Sequence, residues 1–254
     1  MTWRVELDGH EFDLEELDKW LAGSGFDILR EGDRYLLRSA SFEFLPDPDA
    51  VTNSAEELLE VVNGVGRLLW QDFEPVSVGV VRYTRSDGSE KVFVQANEVA
   101  GARDKARVEV ISSDGVTKPD PGLGAVTRLI PLVSREEPVQ RALRLLSRTV
   151  LRWTDLYRAW EVVREDVGDV RFEQGWISKN QERRFRRTAN SYRAIGLQAR
   201  HGDTKFEPPA NPLDLLEAKG LILGLVRSWV RSKAQELERE HEAVRVTGGK
   251  ALRR

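Results

Sequence analysis

The chain has 254 residues, with 39 Lys and Arg against 42 Asp and Glu for a formal net charge of −3, and no cysteine. The lack of cysteine excludes disulfides and thiolate metal sites and points to a reducing compartment. Its longest apolar run, residues 221–226, is far shorter than the roughly 20 residues that cross a bilayer, and the start MTWRVELDGHEF does not read as a secretory signal, so a soluble cytoplasmic protein is expected.

The length suits one large domain or two ordinary ones. Charge favours two, because residues 1–120 carry −12 and residues 121–254 carry +9. The first half alternates strand-like and helix-like segments. Trp3, Val5 and Leu7 point one way and Arg4 and Glu6 the other, the pattern of a half-buried strand. An acidic helix follows, with Leu14, Leu17, Trp20 and Leu21 on one face. Strands are predicted at 27–30, 35–38 and 41–45, then a helix N-capped by Ser54 with Glu56 and Glu57 in its first turn. Residues 76–83 and 91–95 read as a hairpin about Asp87-Gly88, joined by a third strand at 106–112. The fold class is α+β: a small antiparallel α+β domain over 1–112, then an all-α helical bundle.

Residues 113–133 read as a linker, opening with the Gly- and Pro-rich SDGVTKPDPGLG. The bundle is placed at 134–240. Ser134 and Glu137 have capping-box spacing ahead of one long helix whose seam is Val139, Leu143, Leu146, Val150, Trp153, Tyr157 and Trp160. Gly168 stops it, and Ser178 with Gln181 opens a helix to about Ala189. Asn211-Pro212 opens the last helix, and residues 241–254 read as a mobile tail.

The chemistry-bearing segment is GWISKNQERRFRRTANSYRAIGLQARHG, residues 175–202. Arg183, Arg184, Arg186 and Arg187 lie within five positions and would spread over most of a helix circumference, with Arg193 and Arg200 following. Guanidinium groups stay charged and bind phosphate bidentately. Two readings compete: phosphate binding by these six arginines, or pairing with the acidic run Glu161, Glu165, Asp166 and Asp169. His201 sits beside arginines that would lower its pKa and suit it to general-base work, although a hydrogen-bonded structural histidine has the stronger prior. The tryptophans at 153, 160 and 229 belong to apolar seams, leaving Trp176 open to a stacking role. The histidines at 10, 201 and 241 have no metal-site spacing, and neither a metal nor a cofactor is implied. The glycines at 64–66 and 122–124 complete no phosphate-loop pattern.

The long first bundle helix, RRFRRTAN, ARHG and the final helix opening at NPLDLLEA together resemble a HEPN-type helical domain over about 139–230. Such domains occur in bacterial defence, toxin and RNA-processing proteins. The resemblance implies RNA or nucleotide as ligand, a protein partner or homodimer formed through the bundle, and, in active members, metal-independent ribonuclease chemistry at a paired arginine and histidine. Carried onto this chain, His201 would be the base, with Arg193 or Arg187 stabilising the phosphate charge and Asn190 orienting it. The spacing departs from that pattern, because the positions that should hold the arginine are Ala194, Ile195 and Gly196. The departure favours a non-catalytic binder whose acidic N-terminal domain regulates access; the endoribonuclease is the alternative.

Overall fold

Alternating side chains in the first strand set the layering of the N-terminal half. β1 (Thr2–Asp8) buries Trp3, Val5 and Leu7 and turns Arg4 and Glu6 to the other face. With β2 (Phe26–Glu31), β3 (Arg34–Ser39), β4 (Ser77–Thr84) and β5 (Glu90–Val94) it forms an antiparallel sheet of order β2-β3-β1-β4-β5. Register places Ile28, Leu37, Val5, Val81 and Phe93 in one row across all five strands, and this row joins Trp3, Leu7, Tyr35 and Val78 on the core. These relationships come from a computed structural model that describes residues 2–21, 23–70, 73–94, 129 and 132–251, with side chains described through 243.

Helix α1 (Glu11–Leu21) lays Leu14, Leu17, Trp20 and Leu21 on the core, and Arg30 of β2 holds Glu11 and Glu15 on its outer side. The β4–β5 turn is built as its sequence requires. Gly88 takes φ 83°, and Asp87 accepts hydrogen bonds from the Ser89 hydroxyl and backbone N–H, which lower its carboxyl pKa. Two elements differ from expectation. Residues 41–45 are not a strand: Ala40–Phe44 forms a 3₁₀ turn, because the Ser39 hydroxyl caps the Ser41 N–H and only Phe42 of the two aromatics turns inward. Helix α2 (Pro48–Leu69) starts six residues before Ser54, since Asp47 accepts from the Ala50 N–H and Pro48 fits the first turn. Asp47→Ala should cost about 1 kcal/mol, read as a lower urea midpoint with unchanged slope.

The C-terminal region is helical: α3 (Glu137–Leu146), α4 (Trp153–Val167), the single turn α5 (Val170–Glu173), α6 (Lys179–Asn190), the single turn α7 (Tyr192–Ile195) and α8 (Leu215–Ala251). The architecture is thus α+β. The single long helix expected from Val139 to Trp160 is broken at 147–152. There the Asp155 carboxylate accepts the Arg152 N–H, Arg67 of α2 takes the Thr149 carbonyl, and Val150 is exposed. Glu136, not Ser134, precedes α3, with Pro138 in its first turn. The last helix opens at Asp214, whose carboxylate accepts from the Glu217 N–H while Glu217 accepts from the Asp214 N–H. It continues to Ala251, through most of the segment expected to be a tail. The strand expected at 106–112 and most of the linker expected at 113–133 lie outside the described residues; of that linker, Leu129, Leu132 and Val133 are helical, the last two buried in the core.

α2 joins the halves. One face packs on the sheet, where the Asn63 amide bonds both the N–H and carbonyl of Val76; the other meets α3 and α8. At Gly64 the helices approach so closely that an added Cβ would lie 2.5 Å from the Leu143 carbonyl oxygen. Buried residues from both halves form one continuous apolar cluster. Among the described residues no helix is long and apolar enough to cross a membrane.

Candidate anion-binding site

The site is built on α6, and its base is a buried ion pair. Arg171 of α5 donates from Nε and Nη2 to the two carboxylate oxygens of Glu182, at 2.7 and 3.0 Å, with both side chains almost fully buried. Burial alone would raise the Glu182 pKa, but the hydrogen bonds and charge of Arg171 outweigh it and hold the carboxyl below its ordinary range. The capping box forms as its sequence predicts: Ser178 accepts the Gln181 N–H and Gln181 accepts the Ser178 N–H. Phe185 then points into the bundle against Trp153, Tyr157 and Trp160.

With Phe185 inward, Arg183, Arg186, Arg187 and Asn190 fall on one outward stripe at helical offsets of three, four and seven. This corrects the expectation that the four α6 arginines encircle the helix. Only Arg184 leaves the stripe, donating to the Asn211 and Pro212 carbonyls and approaching Glu217. The 199–213 segment returns across the helix, fastened by Arg200 N–H to Ala189 O, the Ser191 hydroxyl to Phe206 O, and Leu213 N–H to the Thr188 hydroxyl. Between helix and segment lies a cavity of about 400 Å³, lined by Arg183, Arg186, Arg187, Asn190, Lys205, Phe206 and Glu207.

The partners of each charge sort the six arginines into paired and unpaired. The acidic run pairs with one arginine of the segment, Glu161 with Arg200, and otherwise turns outside it: Glu165 to Arg141, Asp166 to Lys233 and the Trp229 indole, Asp169 to Arg171. Arg183 donates to the Asn180 side chain, Arg186 lies 5.2 Å over the Trp160 ring, and Arg187 donates to the Pro208 carbonyl. Among the described residues none of these three forms an ion pair within 4 Å, although Arg186 adds to the field that lowers the Glu182 pKa. The other three predicted arginines are compensated, Arg184 by Glu217 at 3.4 Å, Arg193 by Glu207 at 2.5 Å, and Arg200 by Glu161 at 3.3 Å while stacking over Tyr157.

His201 stacks on Phe206, with centroids 5.1 Å apart, and is not among the lining residues. Asn190 donates to the Arg186 carbonyl, and its Oδ1 is buried without a hydrogen-bond partner among the described residues. Trp176, expected to be open for stacking, is partly buried against the core. Lys205, Phe206 and Glu207 escaped sequence reading; their only sequence signal is the mixed-charge, aromatic KFE inside a proline-rich loop. The arrangement can attract and orient an anion through planar, permanently charged donors. No family model, curated protein or solved structure matches the chain.

Proposed function

We propose that the chain is a non-catalytic, HEPN-like binder of phosphate-bearing ligands, in the first place single-stranded RNA, and that α6 is its binding element. One observation carries this reading: Arg183, Arg186 and Arg187, which pair with no carboxylate among the described residues, converge on one cavity. Arg184, Arg193 and Arg200 of the same segment instead have acidic partners. The His201–Phe206 stack and the Arg193–Glu207 pair favour binding over catalysis, since they engage the candidate base and one of its two candidate arginines.

The test is fluorescence anisotropy with a labelled single-stranded RNA across a salt series. Affinity should fall with salt, and changing Arg183, Arg186 and Arg187 to glutamine should make the log–log slope shallower by roughly 0.7 for each phosphate no longer neutralised. A slope unchanged in the triple variant, with native circular dichroism, removes the proposal. The same RNA incubated in EDTA should stay intact. Cleavage that disappears in His201→Ala would replace this reading with the metal-independent ribonuclease.

A further inference from the structure

We infer that the α6 cavity takes a terminal phosphate group, a phosphomonoester or diphosphate, in preference to the internal phosphodiesters of a strand. The inference rests on the phosphate-binding reading of the same arginines and narrows its ligand.

Charge is the first argument. Of the lining side chains, Lys205 is answered by Asp203 at 2.8 Å and Glu207 by Arg193, which leaves three guanidinium groups facing one concavity. An internal diester brings one negative charge, whereas a phosphomonoester carries about −1.5 to −2 at neutral pH and offers three strong acceptor oxygens. Three planar donors lining one concavity therefore suit a terminal group better than a diester.

Geometry is the second. The three arginines lie within four positions of one helix stripe, about 6 Å of helix axis, so they crowd one short stretch instead of spacing out along a track. The cavity, at about 400 Å³, falls in the range of small-ligand pockets and is walled by α6 on one side and residues 205–207 on the other. Phe206 contributes an aromatic ring, backed by the His201 imidazole, against which a sugar or base can pack. A second concavity of similar size at the α2–α3 junction supplies the contrast: its Arg141, Arg144 and Arg148 meet Glu165, Glu60 and Asp155, respectively.

The experiment uses the full chain and four ligands, measured directly by calorimetry or anisotropy: AMP, and one short RNA carrying a 5′-phosphate, a 3′-phosphate or neither. A phosphorylated RNA is expected to bind about tenfold more tightly than its unphosphorylated twin, the factor for one further charge-assisted hydrogen bond. Alternatively AMP itself binds, which assigns the group to a free nucleotide; preference among RNAs without AMP binding assigns it to a strand end. Either signal should vanish in Arg183→Gln, whose side chain bonds Asn180 alone among the described residues, and persist in Arg141→Gln. Equal affinity for all three RNAs with no AMP binding overturns the terminal-phosphate inference while leaving general phosphate binding in place. No binding of any ligand removes both.

Discussion

Glu182→Ala should lower the stability of the chain by about 3 kcal/mol, because it removes the bidentate partner of the buried Arg171 guanidinium and leaves it the Gly168 carbonyl and the exposed Asp169, 3.6 Å away. For a chain of this size that corresponds to a fall in Tm on the order of 10 °C. The cause is the poorly compensated buried charge and not simply a missing hydrogen bond, so Arg171→Met combined with Glu182→Leu should recover most of the loss. A pH series gives an independent check. The folded Glu182 pKa is depressed, so its contribution is complete above the ordinary glutamate pKa of about 4.3 and is lost as pH falls through the lower folded value. The stability gap between the native chain and Glu182→Gln should therefore be widest near neutrality and close on acidification. A gap that is flat from neutral to acidic pH, or an alanine variant within about 1 kcal/mol of the native chain, would contradict the assigned role of the pair.

Gly64→Val is the second large effect, expected to cost about 3 kcal/mol or more from overpacking. The obstruction at Gly64 is Leu143 backbone, with the carbonyl oxygen 2.5 Å and the carbonyl carbon 2.9 Å from an added Cβ, so no rotamer change relieves it. Gly64→Ala meets the same backbone but recovers up to about 1 kcal/mol of helix propensity, so its loss should be smaller. Gly220 in α8 is the matched control: nothing lies within 4 Å of its added Cβ, and Gly220→Ala should stabilise by up to about 1 kcal/mol. Urea unfolding of the three variants decides the matter, and equal effects at positions 64 and 220 would defeat the account of the α2–α3 approach.

The elements legible in the sequence are those specified by neighbours along the chain. Ser178 with Gln181, Asp87 with Gly88, and the alternation of Trp3, Val5 and Leu7 each form the structure their spacing implies. The break at 147–152 was hidden because apolar spacing runs straight through it, while the interactions that favour it include Arg67 from eighty-two residues away. The stripe of Arg183, Arg186 and Arg187 was present in the sequence but obscured by Arg184, whose different direction is set by carbonyls at 211 and 212. Which acid answers which arginine is a tertiary fact: Glu165, Asp166 and Asp169 precede α6 in sequence, yet turn to Arg141, Lys233 and Arg171. The cavity's second wall, Lys205 to Glu207, depends on a segment that folds back through hydrogen bonds to Ser191 and Thr188.

The position of α2 changes what the uneven charge can accomplish. A negatively charged domain on a free tether would sample the basic surface as a loosely held counterion. Here Asn63, Gly64 and Arg67 fix α2 to the sheet on one side and to the helices on the other, and Glu60 of the same helix pairs with Arg144 across that boundary. The two halves therefore behave as a static dipole with its poles set at folding. Amides in β1 and in α4 should then exchange with solvent through the same global opening, at the same free energy.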